Sequence, residues 1–218
     1  MRNVYCVDND DEIGLFEKDE LYFLFSGTYP GGKPFKRQTA IVEGVDEDDW
    51  VFKKGEVIIQ SKIDDGQFLE AVAVLVEHDA GKPKKLLDIL ASGVENISET
   101  GDILGGLVIT ALETGVHQVF ERGGDDILGA VRIRVSNVNG ELRKELVPLK
   151  QTKIGGYKKI GALSKTKMTL RTEMYHKAAA NNIVRYIVSF NVRDMERISN
   201  AHPEGEPLLW SIAGGKAY

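Results

Sequence analysis

The sequence predicts a mainly β protein, an antiparallel β-sandwich carrying an inserted helical hairpin, and three observations lead there. About eight or nine short segments rich in branched and aromatic residues recur along the chain, each bounded by Gly, Pro, Asn or Asp. One region, about residues 82–122, changes to apolar residues spaced three and four apart. Strands and helices nowhere alternate regularly, as a parallel α/β sheet would require. With 218 residues, 42% of them hydrophobic, the chain can fill one large core, expected over residues 1–200, with 201–218 as a C-terminal tail.

In chain order, Asn3 to Val7 and Glu20 to Tyr29 read as strands. Pro30-Gly31-Gly32-Lys33-Pro34 predicts a loop, because glycine tolerates positive φ and proline lacks an amide donor, and a return strand follows from Arg37 to Val42. Glu43 to Asp49 is acidic and turn-like. Trp50-Val51-Phe52 and Glu56 to Ile63 resume extended character, and Asp64-Asp65-Gly66 predicts a tight hairpin. Phe68 to Val76 is the most apolar β-type run, which fits a central strand buried on both faces, and it ends at Glu77-His78-Asp79.

The period then lengthens. Leu86, Leu87, Ile89, Leu90, Val94 and Ile97 share helical spacing, and Ile103 to Phe120 predicts a second helix. Gly101 and Gly105-Gly106 interrupt the region and Gly123-Gly124 closes it, giving a helical hairpin between two strands. Val131, Ile133 and Val135 alternate with Arg132 and Arg134 in the pattern of a half-exposed strand, and Asn139-Gly140 predicts a hairpin turn. Glu141 to Leu149, Lys167 to Tyr175 and Asn182 to Val192 complete the strands, with Gly155-Gly156-Tyr157-Lys158-Lys159 as a basic loop.

Composition removes several function classes. Cys6 is the one cysteine, so the chain builds no internal disulfide and no multi-cysteine zinc or iron-sulfur centre. Met1 to Tyr5 leads to Asp8 without the apolar stretch of a secretory signal, and the uncharged run Ile103 to Leu112 falls short of the roughly 20 residues of a membrane-spanning helix. A cytoplasmic location is the resulting expectation. His78, His117, His176 and His202 fall in different elements without metal-ligand spacing. No nucleophile elbow, phosphate-binding loop or dinucleotide fingerprint occurs.

The net charge of -5 conceals a gradient. Residues 1–142 hold 14 Lys+Arg against 27 Asp+Glu, or -13, whereas 143–218 hold 14 against 6, or +8, and the two recover the total. The acidic part contains the clearest candidate for chemistry, Asp8-Asn9-Asp10-Asp11-Glu12-Ile13-Gly14, followed by Glu17 and Asp19-Glu20. Calcium takes six to eight oxygen ligands, and strand ends can gather them. An EF-hand is excluded: Asp8, Asp10 and Glu12 occupy its first, third and fifth places, but the glycine comes one place late, Asp19 replaces the terminal glutamate and the flanks are strands. A second acidic group, Glu77-His78-Asp79, ends the apolar strand, and Asp125-Asp126-Ile127-Leu128-Gly129 opens the strand after the insert.

The order strand, acidic-x-Asp, loop, Asp-Asp-x-Ile/Leu-Gly, strand resembles C2 domains over about residues 3–149. Glu77 stands where that family usually has aspartate, and the helical insert separates the two motifs. The resemblance implies a β-sandwich with acidic loops at one end, a calcium ion held by Asp8, Asp10, Glu77, Asp79 and Asp126, and calcium-dependent engagement of an anionic membrane or a protein partner.

The basic part offers Lys150, Lys153, Lys158, Lys159, Lys165, Lys167 and Arg171 without intervening acids; Lys153, Lys158, Lys159, Lys165 and Lys167 are the anion-binding candidates, for phosphate groups or anionic lipid. Aromatic residues near this run are sparse apart from Tyr157 and Tyr175, which argues against nucleic acid. Two further readings stay open. The chain is an assembly subunit whose insert and tail contact neighbours, or a hydrolase using paired carboxylates such as Asp48-Asp49 or Asp64-Asp65.

Overall fold

The computed structural model describes residues 3–8, 19–52, 59–78, 83–98, 114–117, 125–149, 152–153, 167–177 and 183–193. Within them the chain is mainly antiparallel β. One sheet runs in the order β5 (Trp50–Val51), β1 (Asn3–Asp8), β11 (Ile183–Arg193), β10 (Lys167–Lys177), β9 (Thr152–Lys153). The other runs β3 (Pro34–Gln38), β2 (Asp19–Thr28), β6 (Phe68–Glu77), β7 (Asp126–Val138), β8 (Glu141–Pro148), with β4 (Val42–Val45) also paired to β2. The helix α1 (Pro83–Ser98) lies between β6 and β7 in the chain, where the sequence placed its insert.

The period of two along each strand decides what every residue meets. In β2 and β6, Leu21, Phe23, Phe25, Ala73 and Leu75 face one way, and they share a core with Cys6, Met174, Tyr186, Val188 and Phe190 of the other sheet. Phe23 carries contact across the boundary, 5.6 Å from the ring of Phe25 and 6.0 Å edge-on from Phe190. The alternate residues Tyr22, Leu24, Val72, Val74 and Val76 face the opposite way and pack with Leu86 and Leu90 of α1 and with Val116. β6 is therefore buried on both faces, as its unbroken apolar run predicts. Each fully buried Val or Leu there contributes roughly 1.5–3 kcal/mol.

Close backbone approach accompanies this packing. A Cβ at Gly27 would collide with the Glu70 carbonyl oxygen and the Ala71 backbone, so no larger residue fits between β2 and β6 at that point. At Gly115, within the short helical segment 114–117, a Cβ would come 2.5 Å from the Leu90 carbonyl oxygen. Residues 114–117 of the insert thus lie directly against α1. The remainder of the predicted second helix, Ile103 to Phe120, lies outside the described residues, as does the tail 201–218.

Two expectations are corrected. The single return strand from Arg37 to Val42 is two strands, β3 and β4, both on the same edge of β2. Thr39 makes the break: its amide donates to the Phe23 carbonyl while its own Oγ1 accepts the Phe23 amide, so a side chain replaces one rung of the ladder. Asp64-Asp65-Gly66 forms a turn, with Gln67 N–H donating to the Asp64 carbonyl, but residues 59–64 form no strand. The turn instead docks on the Asn139-Gly140 hairpin through Gly66 N–H to the Asn137 carbonyl and Asn139 N–H to Asp65 Oδ1. That hairpin forms as predicted, with φ of 55° at Asn139 and 76° at Gly140. No helix among the described residues is long and apolar enough to cross a membrane.

On the α1-facing side of the second sheet, a polar row crosses the end where β6 begins. Glu70 is fully buried, stands opposite Thr28 and Arg134 in the ladders, and lies 3.3 Å from Arg132 Nη1. Arg134 sits over the Phe68 ring at 4.1 Å. Burial pushes the Glu70 carboxyl above the usual carboxylate range, and the guanidiniums of Arg132 and Arg134 offset this only in part. A carboxyl whose folded value is raised binds its proton more tightly in the folded state, so stability falls as pH rises from the ordinary value through the raised one. Glu70→Gln removes that slope. The stability of Glu70→Gln relative to the wild type, from urea unfolding at stepped pH, is expected to increase across this window, and a flat or falling difference would contradict the assignment.

Candidate functional site

Two of the acidic residues singled out from the sequence, Glu77 and Asp126, are brought together by strand register. Glu77, the last residue of β6, stands directly opposite Asp126, the first of β7. Residues so paired have Cα atoms about 4.5–5.5 Å apart and side chains on one face. Asp19, the first residue of β2, shares the alternation of Leu21 and Phe23 and is itself buried, so it lies on the inter-sheet side of the same end. The β4–β5 turn brings the other sheet here. Val45 is opposite Asp19, and three residues later the Asp48 amide donates to the Cys6 carbonyl while the Cys6 amide donates to that of Asp49. The C-terminal half of β1, ending at Asp8, is thereby held beside the start of β2.

Behind Glu77 and Asp126 lies a set of hydrogen bonds on the opposite face. Antiparallel register continued one step past Glu77 and Asp126 sets His78 against Asp125, and their side chains meet there, His78 Nδ1 to Asp125 Oδ2 at 3.2 Å. The Tyr22 hydroxyl donates to the same Oδ2 at 2.7 Å, and its ring packs edge-on against the imidazole at 5.9 Å. Burial, with the adjacent Asp125 carboxylate, holds the Tyr22 phenol far above its ordinary pKa, so it remains a donor at every working pH. The His78 amide also donates to the Glu20 carbonyl at 2.7 Å. Three strands, β2, β6 and β7, are tied at the point where two of them end.

The predicted calcium ligands divide accordingly. Glu77 and Asp126 are brought together; Asp8 closes β1, opposite Arg185 of β11; Asp10 and Asp79 lie outside the described residues. Among the described residues no group of three His, Cys, Asp or Glu side chains is placed to hold a metal ion. Sequence reasoning named Asp19 in the acidic stretch but not among the five ligands, and gave Tyr22, His78 and Asp125 no joint role. Asp19 was recognisable, since period two puts it on the face of Leu21 and Phe23. The Tyr22–Asp125 bond spans 103 residues and had no local signal.

Of the anion-binding candidates, Lys153 is in β9 opposite Glu173, and Lys167 begins β10 opposite Arg193, whereas Lys158, Lys159 and Lys165 lie outside the described residues. Glu173 and Lys167 are six positions apart along β10, so Lys153 and Lys167 are separated by about 20 Å. The carboxylate pairs considered for hydrolysis serve turns: Asp49 accepts the Asp46 amide, Asp48 holds a positive φ of 65°, and Asp65 accepts the Asn139 amide.

Comparison with protein-family models, curated proteins and solved structures returns no match. The residues of the acidic end therefore carry the functional argument themselves. The hydrogen-bonded set behind them gives the most direct check. Tyr22→Phe keeps the ring and removes one donor from a buried carboxylate, a change expected to cost about 1–3 kcal/mol in chemical unfolding. A loss below a few tenths would mean that the bond contributes nothing to the strand ends.

Proposed function

We propose that the chain is a non-enzymatic, C2-like β-sandwich module that binds calcium at its acidic end and uses the bound ion to engage an anionic membrane surface or a protein partner. The observation that carries the reading is the cross-strand apposition of Glu77 and Asp126 with buried Asp19 on the same inter-sheet side. Like charges at facing ladder positions oppose folding, and a hard divalent cation with oxygen ligands offsets that repulsion. Asp8, at the end of the neighbouring β1, with Asp10 and Asp79 completes the proposed ligand set. Acidic groups gathered at strand ends suit a bridging ion with oxygen ligands.

Calcium titration by calorimetry, with thermal melts in calcium and in chelator, tests this on the wild type, Glu77→Gln and Asp126→Asn. Calcium at about a hundred times its dissociation constant is expected to stabilise the wild type by about 2.7 kcal/mol. The variants should respond with opposite signs in the two conditions. In chelator each relieves repulsion and gains roughly 0.2–1 kcal/mol, while in calcium each melts below the wild type. No heat and an unchanged melt at millimolar calcium would sink the calcium reading.

A further inference from the structure

The charge gradient of the sequence becomes a surface in the fold. In β10 and β11 the even-numbered positions carry the core residues, Met174, Tyr186, Val188 and Phe190 among them. Every charged residue of the two strands, Lys167, Arg171, Glu173, Lys177, Arg185 and Arg193, is at an odd-numbered position, and the registers pair odd with odd. Lys153 of β9 stands opposite Glu173 and belongs to the same face. From strands β9, β10 and β11 the outer face of this sheet thus collects six basic positions against the one acidic position Glu173, and at its edge Asp8 of β1 stands opposite Arg185. At its widest the face spans roughly 20 Å across the five strands, and roughly 35 Å along the eleven-residue β10 and β11.

Aromatic positions lie within the same rows. Trp50, Tyr5, Ile187, Glu173 and Lys153 form one continuous cross-strand row, and Tyr175 stands opposite Arg185 in the next. Of the side chains described on this face, Trp50 is 40% exposed, Arg185 is exposed, Ile187 is half-buried and Ser189, the smallest, is buried. Val51, the neighbour of Trp50 on the opposite face, packs on the inter-sheet core, which fixes the direction of the Trp50 ring. The sequence argument against nucleic acid was the scarcity of aromatics near the basic run; strand pairing removes it by bringing Trp50 and Tyr5 from more than a hundred residues away.

We propose that the outer face of the β5-β1-β11-β10-β9 sheet is a docking surface for single-stranded nucleic acid, with its basic positions following the phosphates and Trp50, Tyr5 and Tyr175 stacking on bases. Basic and aromatic positions sharing one sheet face match a polymer in which charge and planar rings alternate. A bilayer interface would instead draw its apolar side chains to one protruding rim. The net charge of -5 does not prevent this, because fields from acids more than about 10 Å away are largely screened at 0.1 M salt. The proposal does not invoke a bound calcium ion.

The test is fluorescence anisotropy of labelled oligouridylate and oligothymidylate of about 20 nucleotides, in chelator at stepped salt, with phosphatidylserine vesicles as the competing surface. Wild type is expected to bind saturably, with log affinity falling against log salt by about 0.7 per phosphate neutralised. Arg171→Glu with Arg185→Glu should weaken binding at least about tenfold, Glu173→Lys should tighten it, and Trp50→Ala should weaken it with little change in salt slope. Should the double reversal fail to fold, Glu173→Lys and Trp50→Ala decide. Failure of the wild type and Glu173→Lys to bind either oligonucleotide overturns the proposal. So does unchanged affinity in a folded reversal variant, or vesicle binding without oligonucleotide binding.

Discussion

Burial of β6 on both faces is the constraint from which the remaining architecture follows. A strand whose residues all need cover must have a layer on each side, and no single sheet supplies two. Ala73 and Leu75 are covered by the sheet containing β11, and Val72, Val74 and Val76 by α1. The same alternation settles the register of β2 and β7 beside it, because a slip of one residue would exchange Phe23 and Tyr22 between unlike surroundings. Phe23 finds Phe190, while Tyr22 finds a carboxylate for its hydroxyl.

The ends of these central strands concentrate the polar groups that the core cannot take. Where β6 and β7 stop, side chains at successive ladder steps point to opposite faces, so Glu77 and Asp126 are separated from His78 and Asp125 although adjacent in the chain. One pair of positions faces the inter-sheet end with Asp19, and the other is closed by Tyr22. Acids with different environments arise from neighbouring residues through pleating alone. A buried carboxylate whose Oδ2 meets both a phenol and an imidazole ties the strand ends in place.

Charge is sorted by the same geometry. The basic strands β10 and β11 contribute their odd positions to one outer face, and the acids of β2, β6 and β7 gather at the end of the other sheet. Glu70 is the exception: carried on the most buried strand, it meets Arg132 and Arg134 from β7. A carboxylate there needs those guanidiniums nearby, and their alternation with Val131, Ile133 and Val135 places them on its face.

Most of the strands, the insertion point of the helical region and the hairpin at Asn139-Gly140 were legible in the sequence, because period, β-branching and turn residues act over a few residues at a time. Asp126 and Glu77 could be marked as strand-end acids for the same reason. The division of Arg37 to Val42 into two strands was not legible, since it depends on Thr39 meeting Phe23 sixteen residues earlier. Nor was the role of Asp125, whose partner Tyr22 is 103 residues away, or the place of Tyr5 and Trp50 beside the basic strands, since both come from the first fifty residues. Sequence by itself determined which residues are apolar, in what period, and with what charge. Only the tertiary structure decided which acids share a face and which basic positions share a surface, because which distant strands become neighbours is chosen by the fit of whole sheets.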